Sequence, residues 1–182
     1  MTITLVVGDI TTQDVDAIVN AANRSVGIGT GVTGAIFAAG GSGLREECRT
    51  LGGCPTGDAK ATGGHALPAR HVIHAVGPKW HTVRPKWHTD GPVWWAGPAE
   101  ADRLLASAYR RAMEVAVDIG ARTVAFPGIS TGVYAFPKDR AAPIAVATIR
   151  EVLAEHPDAF DEVRLVAWSA ADAAHYEGII DD

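Results

Sequence analysis

The stretch that decides the fold runs from residue 16 to residue 39 and reads DAIVNAANRSVGIGTGVTGAIFAA. It opens with a short apolar run at 16–20, which is typical of a buried strand. Residues 23–31 are too rich in glycine for any regular element. Residues 32–39 have helical composition, and Gly40-Gly41 is a helix C-terminal signal. The stretch therefore predicts a strand, a glycine-rich loop and a helix.

The same alternation continues on both sides of this unit. Apolar runs predict further strands at 2–7, 71–76, 123–129 and 163–168, and further helices at 99–119, 144–153 and 170–180. The helix at 99–119 is the clearest, because its apolar residues recur with a 3.6-residue period up to Gly120. Strands that alternate with helices favour an α/β fold, with helices on both faces of a central sheet.

The length of 182 residues predicts a single domain spanning 1–182, since no linker interrupts the pattern. One stretch, at about 78–98, is rich in proline and tryptophan and has no clean periodicity. In it PKWHT at 78–82 recurs at 85–89. We interpret it as an insertion loop that packs down by its own tryptophans or mediates self-association, and a lid over a ligand is an alternative. Its interleaved basic and aromatic residues are also of the kind that stacks on nucleic-acid bases.

Charge and cysteine content narrow the class of protein. Lysine and arginine total 16 against 21 acidic residues, a net charge of −5, which excludes a generally basic nucleic-acid-binding surface. Cys48 and Cys54 are too few for a disulfide framework and indicate reduced thiols. The N-terminal residues predict no signal peptide, and no apolar run approaches the roughly 18 residues that span a bilayer. We expect a cytoplasmic protein without membrane association.

Two glycine-containing loops, at 20–34 and 128–132, follow apolar strands. Such loops present backbone N–H groups to an anion, although they also serve as ordinary tight turns between packed elements. Neither loop has the Gly-Lys-Ser/Thr of a nucleotide-binding P-loop. Residues 29–34 match the bare GxGxxG string, which keeps a dinucleotide-binding Rossmann unit open. Gly29 follows Asn20 by nine residues rather than directly, which argues against that unit.

Taken together, several blocks resemble the macro domain, an ADP-ribose-binding module. They are GDIT at 8–11, DAIVNAAN at 16–23, GVTGAI at 31–36, CPTGDA at 54–59, LPA at 67–69, HVIHAVGP at 71–78 and AFPGISTGVY at 125–134. The blocks come in family order and span about residues 1–178. The chain is most similar to bacterial members that hydrolyse O-acetyl-ADP-ribose and mono-ADP-ribosylated side chains. The resemblance implies a three-layer α/β/α domain with a central mixed sheet.

The resemblance also implies a role for particular residues. Asp9 and the Ile10 N–H match the adenine contacts, and Asn23 matches the asparagine that holds the distal ribose and serves catalysis. Trp168 matches a position where family members place an aromatic ring near adenine. The remaining contacts to phosphate and distal ribose fall on Gly31, Val32, Thr33, Ser130, Thr131, Gly132, Val133 and Tyr134. The alternatives are that Asp9 caps a turn, that Asn23 is a turn asparagine, and that Trp168 is a core residue.

The chain departs from the hydrolytic pattern in its first phosphate loop. That branch carries Asp where this chain has Thr33, often His where it has Phe37, and glycine at Ile28 and Thr30. Threonine is a poor general base, so it supplies little of the about 10²–10⁴-fold that acid–base catalysis contributes. We expect hydrolysis to be reduced or confined to labile esters, with a ligand phosphate assisting a water held by Asn23.

Other constellations carry less chemistry. Cys48, Cys54 and His65 suggest zinc only weakly, because no close Cys-x-x-Cys pair is present, and we predict neither a metal nor a cofactor. His71 and His74 flank an apolar strand and are interpreted as hydrogen-bonded structural histidines rather than catalytic bases.

The expected function is hydrolysis of ADP-ribose linkages, on mono-ADP-ribosylated acidic side chains or O-acetyl-ADP-ribose. The expected partners are therefore ADP-ribose and ADP-ribosylated proteins. A non-catalytic reader of ADP-ribose is the alternative that Thr33 and Phe37 favour. A single-strand-binding protein using the tryptophan-rich stretch is a third interpretation, against which the net charge of −5 counts. The sequence leaves the oligomeric state open.

Overall fold

The computed structural model describes residues 2–80 and 97–180. Within these ranges lie six strands: β1 (Thr2–Val7), β2 (Ala17–Ala21), β3 (Ala59–Gly63), β4 (His71–Ala75), β5 (Thr123–Phe126) and β6 (Glu162–Ala167). They form one sheet in the order β1-β6-β5-β2-β4-β3. Neighbouring strands are parallel except β3, which is antiparallel to β4. The predicted mixed sheet is confirmed.

Helices cover both faces of this sheet. They are α1 (Gly31–Thr50), α2 (Pro98–Asp118), α3 (Lys138–Glu155) and α4 (Ala170–Ala173), and a single 3₁₀ turn spans Ile10–Thr12. Helices α2 and α3 pack against each other and bury one face of the sheet, whereas α1 buries the other. The predicted three-layer α/β/α architecture is confirmed.

Strand β2 shows why the DAIVN run is apolar on both of its sides. Ala17 and Val19 join the core beneath α2 and α3, whereas Ile18, pointing the other way, joins the core beneath α1. A strand with helices on both faces has no solvent side, so its sequence does not alternate between apolar and polar residues.

The sheet gathers several loops at one edge. Because β1, β2, β4, β5 and β6 are parallel, their carboxyl ends all point to the same side. The loops that leave these ends lie next to one another, and this is the edge at which α/β proteins bind their ligands.

The structure differs from the prediction in three places. The predicted helix end at Gly40-Gly41 is confirmed in part: the backbone of Gly41 is not helical, with a φ of +75°, but a second helical stretch follows this kink directly, and its Leu44 and Cys48 are buried. The predicted final helix at 170–180 is limited to α4, and turns follow it. Strand β3 was not predicted, since its sequence AKATG lacks an apolar run.

Most of the predicted insertion at 78–98 lies outside the described residues, and so do the roles proposed for its tryptophans. Trp80, at the beginning of this stretch, is described. Its backbone N–H donates to the Tyr134 carbonyl at 2.8 Å, and its ring centroid lies 4.8 Å from that of Phe136. Among the helices within 2–80 and 97–180, none has the length and apolarity to cross a membrane.

Candidate functional site

Two adjoining cavities lie at the carboxyl edge of the sheet. The larger cavity, of about 430 Å³, lies against the ends of β1 and β6 and is lined by Asp9 and Trp168. The smaller cavity, of about 280 Å³, lies at the end of β2 and is lined by Asn23 and Ser130. Four residues line both cavities: Gly31, Val32, Gly128 and Gly132. The two cavities therefore meet between the loop at 22–30 (the first loop) and the loop at 127–136 (the second loop).

Asn23 holds the first loop together. Its Oδ1 accepts hydrogen bonds from Ser25 Oγ at 2.7 Å and from the Gly27 N–H at 3.1 Å, and its Nδ2 donates to the Gly27 carbonyl at 3.0 Å. The side chain is thus the turn asparagine of the alternative prediction, and it also lines the smaller cavity. If the Asn23 amide contacts a ligand, the same group also maintains the shape of the first loop.

Helix α1 begins where the two cavities meet. Its N-cap residue, Thr30, makes no side-chain hydrogen bond to the helix, so the N–H groups of the first turn are not capped from within. Gly34 lets this turn lie close to the first loop, because a Cβ at that position would stand 2.8 Å from the Gly29 carbonyl oxygen. The helix end therefore offers uncapped donors and a positive dipole to an anion.

Thr33 is buried at the base of the smaller cavity. Its Oγ1 donates to Asn20 Oδ1 at 3.1 Å and to the Ala21 carbonyl at 2.9 Å. The hydroxyl therefore bonds to β2 instead of to the cavity. This geometry adds a second reason, besides the absence of charge, why Thr33 does not act as a general base.

The Asn20 side chain extends this network into the core. Its Nδ2 lies 3.1 Å from His74 Nδ1, and His74 Nε2 lies 2.9 Å from Thr62 Oγ1. Burial lowers the pKa of His74 to about 4, so the ring is neutral at pH 7. His74 is the hydrogen-bonded structural histidine that was predicted.

The second loop is shaped by backbone hydrogen bonds. The Phe136 N–H donates to the Ser130 carbonyl at 3.0 Å and the Ala135 N–H to the Gly132 carbonyl at 2.9 Å, while Ser130 and Ala135 have φ values of +66° and +56°. Among the described residues, the N–H groups of Ser130, Gly132, Val133 and Tyr134 have no acceptor. The loop thus presents a row of unpaired donors opposite the start of α1.

We predict that Ala135→Gly stabilises the protein. A left-handed alanine costs roughly 1 kcal/mol that glycine avoids, and the greater entropy of glycine in the unfolded chain offsets part of this gain. The midpoint of urea unfolding should therefore rise while the m-value stays unchanged. Ala38→Gly is the control: Ala38 is exposed inside α1, where glycine costs about 1 kcal/mol. A lower midpoint for Ala135→Gly would contradict the prediction.

The larger cavity has a polar end and an aromatic mouth. Asp9 Oδ1 accepts from the Thr11 N–H and hydroxyl, both at 2.8 Å, so Asp9 caps the 3₁₀ turn as the alternative predicted and still lines the cavity. Trp168 has 71% of its surface exposed at the mouth, so the core alternative for this residue is wrong. A hydrogen bond from Lys138 lowers the pKa of Asp172, and this ion pair lies on the same wall.

All twelve residues predicted to contact a ligand line one of the two cavities. Sequence reasoning missed other lining residues, among them Gly77, Lys138, Asp172, His175 and Tyr176. Gly77 carries a detectable signal, since it follows a predicted strand as the other loops do. The remaining four come from the start of α3 and the segment after β6, and no motif distinguishes them.

The two cysteines and His65 lie in separate environments. Cys48 Sγ lies 3.5 Å from His74 Nε2, Cys54 Sγ donates to the Pro55 carbonyl, and His65 pairs with Glu47 at 2.6 Å. Burial raises the pKa of both thiols to about 11. In the part of the chain that is described, no group of three or more His, Cys, Asp or Glu side chains is arranged to hold a metal ion.

The fold and the cleft define an α/β/α ligand-binding domain, with its site where backbone donors of two loops face each other. The family model for the macro domain matches residues 19–145. A macro domain-containing protein of Ralstonia nicotianae is 47% identical over 174 residues, which cover 96% of this chain and 91% of that protein. The chain belongs to the macro domain family, and this membership excludes the Rossmann alternative.

Solved structures agree in fold. The chain superposes on the Trypanosoma brucei macrodomain in complex with ADP-ribose with a TM-score of 0.83 and 36% identity, covering 98% of this chain and 68% of that one. It superposes on the Oceanobacillus iheyensis macrodomain with ADP with a TM-score of 0.82 and 38% identity, covering 95% and 86%. Both structures hold a ligand with a diphosphate.

Proposed function

We propose that this protein binds ADP-ribose along the cleft and hydrolyses the bond that links the distal ribose to its substituent. Adenosine occupies the larger cavity, the distal ribose occupies the smaller one, and the diphosphate lies where they meet. The observation that carries the proposal is this meeting point, where the start of α1 and the second loop both present backbone donors. The ADP-ribose and ADP complexes of similar macrodomains support it.

The charge of the protein agrees with this mode of binding. A net charge of −5 does not attract anions at long range, and none of the four described residues that line both cavities is a lysine or an arginine. Neutral N–H groups and the α1 dipole bind a diphosphate without such side chains. Three of these residues, Gly31, Gly128 and Gly132, are glycines. A side chain at these positions would obstruct the approach of a phosphate to the backbone N–H groups.

The proposed reaction adds water across an ester or glycosidic bond at the distal ribose. It releases ADP-ribose from an acidic side chain, or acetate from O-acetyl-ADP-ribose. Asn23 lies beside the smaller cavity and is the candidate for holding the ribose and the water. Because Thr33 bonds to β2, a ligand phosphate is the remaining candidate for the base.

A calorimetric titration with ADP-ribose tests the binding. Heat that saturates at one ligand per chain is the expected result, and the absence of heat at high micromolar ligand would contradict the proposal.

Asn23→Ala tests the first loop. It removes three hydrogen bonds of that loop, and we expect the affinity for ADP-ribose to fall about tenfold, a loss of about 1.4 kcal/mol. Ser25→Ala removes only one of them at an exposed position and is the matched control, with affinity expected to stay within about twofold of wild type. Equal affinity of Asn23→Ala and wild type would show that the loop does not contact the ligand.

A non-catalytic reader is the second candidate, and the Thr33 geometry favours it. The two candidates are distinguished by incubating wild type and Asn23→Ala with a mono-ADP-ribosylated protein and with O-acetyl-ADP-ribose. Release above background by wild type, lowered in the variant, supports the hydrolase. If neither protein releases product while the wild type binds ADP-ribose, the reader is the correct function.

A further inference from the structure

We propose that Tyr109 is a positioning residue, whose hydroxyl holds the second loop from behind so that its free N–H groups face the diphosphate. The proposal rests on the ADP-ribose binding proposed above. Tyr109 lies on α2, is completely buried, and does not line either cavity. Tyr109 therefore does not contact a ligand in either cavity directly, and the second loop is the part of the site to which it is hydrogen-bonded.

The Tyr109 hydroxyl contacts the backbone where β5 ends and the second loop begins. Tyr109 Oη accepts a hydrogen bond from the Ile129 N–H at 3.1 Å and lies 3.4 Å from the Pro127 carbonyl oxygen, to which it donates. One hydroxyl thus satisfies a donor and an acceptor on either side of Gly128. Gly128 is one of the four residues shared by the two cavities.

Among the described residues, the Ile129 N–H has no acceptor other than the Tyr109 hydroxyl. Ile129 is fully buried, so its N–H has no access to water. The Tyr109 ring packs 5.5 Å from that of Phe126 and is fixed in place. Burial raises the pKa of Tyr109, which keeps the phenol protonated and able to donate. Without the oxygen, the Ile129 N–H is left unpaired unless the start of the loop moves.

Tyr176 belongs to the same buried cluster as Tyr109 and also lines the larger cavity. The wall of the larger cavity and the support of the second loop are therefore neighbours within the core. A residue that served only the core would affect all ligands alike, whereas a residue that positions the loop affects those ligands that carry a diphosphate.

Tyr109→Phe removes the oxygen and keeps the ring. We expect its affinity for ADP-ribose and for ADP to fall at least about tenfold, whereas adenosine, which has no phosphate, stays within about twofold of wild type. Exchange of the Ile129 amide with solvent, measured without ligand by NMR, should accelerate about tenfold or more. Met113→Leu is the matched control: Met113 is buried on the same helix, and its substitution changes packing without removing a hydrogen bond.

The outcomes separate this inference from the proposed function. Unchanged exchange at Ile129, or equal losses for adenosine and ADP-ribose, would overturn the role of Tyr109. If the wild type binds neither ADP-ribose nor ADP, the proposed function fails, and the amide exchange still decides whether Tyr109 positions the loop. Faster exchange together with a loss restricted to the two diphosphates supports the proposal.

Discussion

Gly77→Ala should weaken the binding of ADP-ribose by about tenfold to a hundredfold, although it adds only a methyl group. Gly77 follows β4 and lines the smaller cavity. A Cβ at this position would stand 2.1 Å from Ser130 Oγ and 2.6 Å from Ile129 Cγ2. Both distances are far below van der Waals contact, so the methyl group and the second loop cannot keep their present places.

The loop has little freedom to absorb this methyl group. Ile129 is fully buried and β-branched, so its Cγ2 has no free space into which to rotate, and the next residue, Ser130, already has a backbone φ of +66°. On the other side, the strand end before Gly77 is fixed, because the Val76 N–H donates to the Asp58 carbonyl at 3.0 Å and the Gly57 N–H to the Val76 carbonyl at 2.7 Å. The second loop is therefore the part that moves, and it takes its N–H donors away from the diphosphate.

Calorimetry with ADP-ribose and with adenosine measures the effect. In the proposed binding mode adenosine contacts only the larger cavity, so its affinity should stay within about threefold of wild type. Gly97→Ala is the matched control: Gly97 has a φ of −58°, and a Cβ there would meet no described atom within 4 Å. Full affinity of Gly77→Ala for ADP-ribose would show that the second loop does not bind the diphosphate in its present position.

The sequence predicted the fold well because the fold depends on local patterns. The DAIVN run, the glycine loop and the helix after it follow from composition, and β2 and the start of α1 lie within one residue of the prediction. Gly40-Gly41 does interrupt the helix, because the backbone of Gly41 is not helical, but a second helical stretch follows this kink directly and buries Leu44. That burial is a tertiary contact, which local composition does not contain.

The candidate site was likewise predictable only in part. Residues at strand ends were predicted to line it, and they do. What the sequence does not contain is the orientation of side chains: Thr33 was predicted to contact the ligand, yet its hydroxyl bonds to Asn20 and Ala21. Tyr109 had only the pattern of a core residue on an amphipathic helix. Its contact with Ile129 joins residues that are 20 apart in sequence, and such a contact depends on how α2 crosses the sheet.

Thr33→Asp should raise the rate of hydrolysis, by up to about 10²-fold if the missing acid limits turnover. The introduced carboxylate cannot take the place of the Thr33 hydroxyl, because Asn20 Oδ1 and the Ala21 carbonyl there are both acceptors. We expect the carboxylate to take the direction of the Thr33 Cγ2 methyl instead. That methyl faces Gly29: a Cβ built on Gly29 would lie 3.2 Å from Thr33 Cγ2 and 3.6 Å from Asn23 Nδ2. A carboxylate in this direction points towards the part of the first loop that Asn23 shapes, and we expect it to orient a water there.

We also expect Thr33→Asp to lower the stability of the protein. Asn20 Oδ1 is buried and loses its donor, so the free energy of unfolding should fall by about 1–3 kcal/mol. Thr33→Asn separates charge from shape: it has nearly the same size as the aspartate variant and no carboxylate, and we expect no gain in rate from it. The rate of ADP-ribose release from a protein modified on acidic side chains is the measurement. Equal rates for Thr33→Asp and Thr33→Asn, with ADP-ribose binding intact in both, would show that the missing acid does not limit hydrolysis.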